Sequence, residues 1–386
     1  MTSSILFMST YPPRKCGIAT FTRDLTEALD SVSQGCETKI LAINDIENNY
    51  SYPEKVTYQL KDYDYEDYIK TAEKINQDNS IGAVCIQHEF GIFRGEQSCY
   101  PLPFLDKLKK PSLINFHSVF PNPQEEIKQL IRAISKRVNK IIVMTDKAVE
   151  ILREDYGIKT PISIISHGIP EVSFEKQFLY KHKLGILDKI LLSSFGMVGP
   201  GKGYEHVIES LPKVVKKFPN ILYLIVGATH PGVIEEEGEN YREYLVKRIM
   251  ELNLEKNVAF HNDYVEINKI IEYLKATDIY MSTSQNPEQI TSGTLAYAMG
   301  CGRAVISTPF PHAQDMVKEN NGLIVDYDNP EEFSDAIISL LSNSERINIL
   351  EKNNYSLTRQ MTWKNVASKY KETILEIIYA PPHERV

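Results

Sequence analysis

Residues 190–204 read Ile-Leu-Leu-Ser-Ser-Phe-Gly-Met-Val-Gly-Pro-Gly-Lys-Gly-Tyr. A short apolar run of strand length gives way to closely spaced glycines, and a helix is expected to begin near Tyr204. Strand, glycine loop and helix make one βα unit, and units of this kind build parallel sheets.

The same alternation extends in both directions. After this unit, strand-like runs fall at 221–227, 257–261, 279–284, 304–308 and 322–326; before it they fall at 4–10, 38–43, 83–88, 112–117 and 140–145. Helical patterns separate them, so two successive series predict two Rossmann-like, doubly wound α/β domains. The periodicity lapses from about Ile169 to Lys183, where Pro170, Glu171, Glu175, Lys176, Lys181 and His182 gather. A linker is expected there, dividing the chain into 1–175 and 176–360. Trp363 to Tyr379 reads as one more amphipathic helix, with Val366, Tyr370, Ile374 and Ile377 on one face, and the segment 361–386 is expected to pack back on the first domain.

The bulk composition narrows the function classes. The 386 residues exceed one compact core but suit two domains, and 42% hydrophobic with 24% charged residues is a globular balance. A net charge of -8 gives no field that would gather nucleic acid or anionic lipid. The basic residues Lys128, Arg132, Lys136, Arg137 and Lys140, on a helix expected over Gln124 to Asn139, read as a solvated face rather than a membrane-facing one. Cys16, Cys36, Cys85, Cys99 and Cys301 are odd in number and scattered, which suits a reducing cytoplasm and not a zinc site or disulfide framework. Ser3 to Ser9 is too short for a signal-peptide core, and no apolar run reaches the ~20 residues that span a bilayer. A cytoplasmic, soluble or at most peripheral enzyme is therefore expected.

In open parallel sheets ligands bind beyond the carboxyl ends of the strands, so the segments just after each strand carry the candidate chemistry. The first is Tyr11-Pro12-Pro13-Arg14-Lys15-Cys16-Gly17, turning into a helix whose free amides can hold an anion. It lacks the G-x-G-x-x-G pattern of dinucleotide-binding dehydrogenases. Next come Gln87-His88-Glu89 and Asn115-Phe116-His117, two histidines at neighbouring strand ends that could bind sugar hydroxyls or move protons. The loop with Gly196, Gly199, Gly201, Lys202 and Gly203 forms a flexible anion cradle with one cation, but not a Walker A loop, because the required spacing and the Ser/Thr after Lys are missing. Finally Gln289 and Ser292-Gly293-Thr294 precede a short helix, where hydroxyls and amides again suit an anion or simply cap the helix.

In this order, the loop ending at Gly17, the strand-end His117, Ser166-His167-Gly168, Phe195-Gly196 with Lys202-Gly203, and Ala298-Met299-Gly300-Cys301-Gly302 resemble family 4 of the retaining glycosyltransferases over nearly the whole chain. The resemblance implies a GT-B fold, two domains facing each other across a cleft, with the acceptor bound mainly by the first and the donor mainly by the second. It implies transfer of a hexose from a phosphate-activated donor, most simply a nucleotide sugar, to a carbohydrate or related hydroxyl acceptor, with no metal and no cofactor. His117, Lys202 and Gln289 would be the catalytic residues. Gly17, Gly196, Gly201, Gly203, Ser292, Gly293, Thr294 and Tyr297 would hold the donor and its phosphate. Arg14, Lys15, His88, Glu89 and His167 would contact acceptor or sugar.

The sequence also departs from that family. Met197 stands where members commonly carry Arg, and Gln289 and Tyr297 stand where a pair of Glu residues is usual. The second Glu usually holds a nucleotide ribose. The Ser292-Gly293-Thr294 turn also resembles the phosphate-contacting turn of glycogen phosphorylase, so a phosphorylase or sugar-phosphate-using transferase is the alternative, and an inactive sugar-binding subunit a further one.

Overall fold

The computed structural model describes residues 4–32, 37–45, 50–95 and 98–379. Cys36 and the end of the 361–386 segment lie outside them. The contacts divide the chain into two compact units, one of residues 1–168 with 361–386 and one of residues 169–360.

In the first unit, the strands are β1 (Ser4–Ser9), β2 (Thr38–Asn44), β3 (Val56–Lys61), β4 (Ile81–His88), β5 (Ser112–Phe116), β6 (Lys140–Val143) and β7 (Ile162–Ile164). They form a parallel sheet in the order β3-β2-β1-β4-β5-β6-β7 among the described residues. In the second unit, β8 (Ile190–Phe195), β9 (Ile221–Val226), β10 (Val258–His261), β11 (Ile279–Ser282), β12 (Ala304–Ser307) and β13 (Gly322–Ile324) line up as β10-β9-β8-β11-β12-β13, again parallel. Both units are therefore Rossmann-like α/β domains. In each, the strand order reverses once, between β1 and β4 and between β8 and β11, and these reversals open the crevice where open sheets bind ligands.

The central strands are mainly apolar because helices cover both faces of the sheet. Leu6, Phe7, Met8, Val84, Cys85 and Ile86 are all fully enclosed. The structure adds β3 and β7, which the sequence reading did not include. Both are edge strands: β3 alternates inward positions, of which only Leu60 is fully buried, with exposed ones, and β7 has three residues, none buried. Neither gives the mainly apolar signal of an inner strand.

Several expected boundaries move. The strands stop one to two residues early, at Phe116, Val143, Phe195 and Ser282, because the next residues leave the ladder to build the loops described below. The basic helix spans Glu125–Ser135 instead of 124–139; Arg132 donates to the carbonyl of Tyr156, Arg137 pairs with Asp106 at 2.6 Å and Lys140 pairs with Glu376. The expected linker contributes the helix Gln177–Lys183 to the second unit, where Lys181 bonds Asp278. The contact boundary lies after Gly168.

The terminal helix Trp363–Tyr379 belongs to the first unit's core: Val366, Tyr370, Ile374 and Ile377 are buried with Phe7, Leu25 and Leu29. Gly168 is the residue that lets it seat, since a Cβ there would fall 2.0 Å from the Trp363 ring.

Candidate active site

The second unit holds a cavity at its strand reversal. Its lining includes Ser194 and Phe195 at the end of β8, Lys202 in the loop that follows, Met281 to Ser284 at the end of β11, and Gln289, Ser292 and Thr294 beyond it. The glycine loop and the segment after β11 are pinned to each other. Thr283 Oγ1 donates to the carbonyl of Lys202 at 2.6 Å, and the amide of Gln285 donates to the carbonyl of Gly201 at 2.9 Å. This explains Gly203: its φ is +70°, and a Cβ would fall 2.2 Å from the Thr283 carbonyl and 2.5 Å from Gln285 Nε2. Only glycine accepts both the left-handed backbone and that approach.

Lys202 sits in this pinned loop and its side chain turns into the cavity wall. A lysine in a glycine loop would ordinarily reach into solvent, but this residue is only partly exposed, and burial lowers its pKa. Among the described residues no carboxylate lies within ion-pair distance of its ammonium, and no side-chain hydrogen bond engages it. A desolvated cation without a counter-charge is costly and marks a place for an anion.

Two helices begin at the same cavity. The helix Tyr204–Lys217 starts at Gly203, which offers no side-chain cap, so its first amides remain open. The helix Gly293–Gly300 is capped by Ser292, whose Oγ accepts from the Leu295 amide at 3.3 Å; the capping reading therefore holds for Ser292. Thr294 lies 3.4 Å from Ser292 Oγ and also hydrogen-bonds Tyr280, whose phenol burial pushes up to about 12. Gln289 folds back to donate to the Thr291 carbonyl at 3.0 Å. Tyr297, expected among the donor contacts, is 9% exposed within the Gly293–Gly300 helix and does not line the cavity. A rigid helix turn carries it past the lining residues Ser292 and Thr294.

The first unit presents its own group beyond β1, β4 and β5. Gly17 opens the helix Gly17–Val32 and is exposed, with nothing within 4 Å of a Cβ placed on it, so its backbone is accessible but does not demand glycine. Cys16 Sγ accepts from the Ala19 amide at 3.3 Å and occupies the capping place. Lys15 is exposed, while Arg14 reaches sideways to Asp45 (3.6 Å) and the Ile43 carbonyl (3.3 Å).

His117 and His167 come together around Phe21. The Phe21 ring meets His117 edge-on at 4.8 Å and His167 at 5.2 Å, and Trp363 closes on Phe21 at 5.3 Å. Both histidines are nearly enclosed, and burial pushes their pKa values down to about 3 and about 4 respectively, so each is a neutral imidazole at pH 7.

His88 and Glu89 do not join them as contact groups. His88 is fully enclosed by Phe90, Phe93 and Phe116, with both ring nitrogens unpartnered. Its side chain points to the opposite side of the pleat from its neighbour Gln87, as alternation along β4 requires. Glu89 caps the following turn, accepting from the Phe90 amide (2.9 Å) and Ser118 Oγ (2.6 Å). These bonds, and not a ligand, account for that carboxylate. Sequence reasoning gave no role to Gln87, Asn115, Thr283 or Trp363. Gln87 and Asn115 did leave a signal: each is a lone polar residue inside an otherwise apolar central strand.

Among the described residues no group of three or more His, Cys, Asp or Glu is arranged to hold a metal ion, and no helix is long and apolar enough to cross a membrane. Cys16, Cys85, Cys99 and Cys301 are free thiols.

Comparisons with known proteins bear on the family likeness and the fold. The family Glycosyl transferases group 1 matches residues 177–357. A curated relative, described as an uncharacterized glycosyltransferase of Methanocaldococcus jannaschii, is 25% identical over 295 residues, 70% of each chain. A putative glycosyltransferase of Bacillus subtilis is 25% identical over 209 residues, 53% of this chain and 50% of its own. Among solved structures, Anabaena HepE in complex with UDP and glucose superposes with a TM-score of 0.75 at 14% identity, covering 97% of this chain and all (100%) of that one. Sucrose-phosphate synthase from Thermosynechococcus elongatus gives 0.78 at 16% identity, covering 98% and 100%. The structural neighbours are GT-B glycosyltransferases, and at such identities they establish the fold alone.

Proposed function

For a glycosyltransferase carrying a group 1 domain over residues 177–357, we propose that the chemistry is metal-independent transfer of a hexose, with retention, from a nucleotide-activated donor to a carbohydrate or related hydroxyl acceptor. The observation that carries this is the Lys202 ammonium, desolvated at the cavity without a counter-ion and beside an uncapped helix N-terminus. A diphosphate supplies the missing negative charge. As the bond from the anomeric carbon to the phosphate oxygen breaks, charge grows on that oxygen, and fixed donors there lower the barrier. The acceptor oxygen bonds to the anomeric carbon on the face the phosphate leaves, and the acceptor proton passes to the departing phosphate.

In this reading the second unit binds the donor through Lys202, Gly196, Gly201, Gly203, Ser292, Gly293 and Thr294. Gln289 lies beside the donor sugar. In the first unit His117 contacts the transferred sugar, the backbone at Gly17 approaches phosphate, and Arg14, Lys15 and His167 serve acceptor or sugar. Tyr297, buried in its helix, cannot replace a carboxylate that accepts two ribose hydroxyls, so ribose recognition falls to other groups. Support for a nucleotide donor comes from HepE, whose structure holds UDP and glucose. A phosphorylase remains the second reading, favoured by the neutral Gln289 and the hydroxyls of Ser292 and Thr294 at the cavity.

A thermal-shift screen over nucleoside diphosphates, sugar 1-phosphates and inorganic phosphate separates the two, because a ligand that binds only the folded state raises its midpoint. The transferase reading expects nucleoside diphosphate to give the larger shift and the product of a donor-dependent assay to keep the donor's anomeric configuration. A shift from inorganic phosphate alone, with phosphate-dependent cleavage of a glycoside, would replace it with the phosphorylase.

A further inference from the structure

The network behind His117 fixes which of its ring nitrogens carries the proton. β4 and β5 are in register so that Gln87 pairs with Asn115, and both side chains are fully enclosed. Gln87 Oε1 lies 2.9 Å from His117 Nε2 and accepts from Asn115 Nδ2 at 2.9 Å, while Gln87 Nε2 donates to Cys85 Sγ at 3.3 Å. Asn115 Nδ2 also lies 3.2 Å from His117 Nε2, a contact that alone would suit a bare Nε2. Nδ2 already donates to Gln87 Oε1, however, and a bare Nε2 would set its lone pair against that oxygen at the shorter 2.9 Å. A carbonyl oxygen only accepts, so the hydrogen of the shorter contact sits on His117 Nε2. Reversing it requires turning both amides, since turning Gln87 alone would set two donors against each other. Asn115 Oδ1 is buried without a partner, and turning that amide would bury two unpaired N–H groups in its place. Orphaned buried donors are rarer than under-satisfied carbonyls, which favours the orientation as it stands.

With Nε2 protonated, the neutral ring has its lone pair on Nδ1, which has no partner among the described residues. Phe21, edge-on at 4.8 Å, holds the ring plane. We propose that Gln87 is a positioning residue that locks His117 as the Nε2–H tautomer, so that His117 meets its ligand through Nδ1 as a hydrogen-bond acceptor. An acceptor nitrogen recognises a hydroxyl and repels a phosphate oxygen, which makes His117 a reader of one sugar hydroxyl and not a proton donor to the leaving group. The inference rests on the reading that His117 contacts the transferred sugar. The titratable groups bearing on His117 are His167 and His88; Phe21 and Trp363, from the helices packed nearby, are not ionisable.

Nitrogen-15 NMR of the full-length chain labelled at histidine tests the lock directly, with His117→Gln used to assign the resonance. The Nε2–H tautomer, unchanged from pH 8 to 5, is expected. An Nδ1–H tautomer, or titration near 6.5, overturns the proposal. Gln87→Glu keeps the shape but sets a carboxylate against Nε2, which favours the imidazolium. In that variant His117 should titrate within the same range, and transfer should fall tenfold or more on the acid side of the new pKa. An equal loss at every pH would mean that Gln87 only packs, and overturns the positioning role. If Gln87→Glu does not fold, the wild-type spectrum alone still decides the tautomer. Wild-type transfer by His117→Ala with the expected spectrum would remove the sugar-contact reading and leave the lock standing.

Discussion

Replacing Lys202 with methionine removes the charge while keeping the length of the side chain, and the structure gives that change opposite signs for the fold and for the reaction. For the fold, burial lowers the Lys202 pKa below its usual 10.5, so the charged form is penalised in the native state. The unfolded chain then binds the proton more tightly, and stability rises with pH between the lowered pKa and 10.5. At pH 7, below the usual 10.5, that penalty on the charged form is present. Lys202→Met should therefore leave the melting midpoint unchanged or raised at pH 7 and abolish the part of the pH dependence due to this group.

For the reaction, the lost contact is a charge-assisted hydrogen bond to phosphate, worth ~1.5–3 kcal/mol, or roughly 10- to 150-fold in affinity at 1.4 kcal/mol per decade. A donor aimed at charge that develops in the transition state costs ~10²–10³-fold in turnover when removed. Calorimetric titration with nucleoside diphosphate, initial-rate assays and thermal melts from pH 7 to 10 measure all three quantities. Unchanged affinity and turnover would refute the placement of the leaving phosphate at this cavity. A midpoint that drops by several degrees would refute the claim that the charge is unpaired.

Gly203→Ala should force a side chain into a left-handed backbone against the Thr283 carbonyl, at a cost of at least about 2 kcal/mol; a melting midpoint within a degree of wild type would contradict the geometry. Ile374→Ala, in the terminal helix, should cost roughly 2–4 kcal/mol in urea unfolding, because Ile374 is fully enclosed in the first unit's core; a cost under about 0.5 kcal/mol would mean that the helix contributes no core. EDTA should leave the transfer rate unchanged, and a complete loss restored by Mg²⁺ or Mn²⁺ would overturn the metal-independent mechanism. His117→Ala should reduce transfer while nucleoside diphosphate affinity, measured by calorimetry, stays within about threefold; a collapse of both would place His117 at the phosphate instead.

Much of the fold was legible because inner strands of a covered parallel sheet must be apolar on both faces. That constraint writes β1, β4, β8 and β12 into the sequence as short, mainly hydrophobic runs. The glycine loop after β8 was legible for a related reason, since a left-handed turn at Gly203 leaves glycine as the residue without strain. Edge strands are under no such constraint, and β3 and β7 passed unread.

The candidate site divides in the same way. Sequence order alone picked out Lys202, His117 and the Ser292 to Thr294 turn, because topology puts ligands beyond strand ends. It could not decide burial. His88 and His117 occupy equivalent-looking strand ends, yet pleat alternation encloses one among phenylalanines and hands the other to Gln87 and Asn115. Glu89 was expected to contact acceptor or sugar, but the turn beside it engages both carboxylate oxygens. Lys202 looked like an exposed lysine until two loops, far apart in sequence, were pinned by Thr283 and Gln285 around it. The sequence by itself determined which segments become strands, helices and tight turns, since those depend on local periodicity and backbone preference. Only the tertiary structure decided which polar groups have partners and which keep an open valence for a ligand, because desolvation and hydrogen-bond satisfaction are properties of neighbours brought together by the fold.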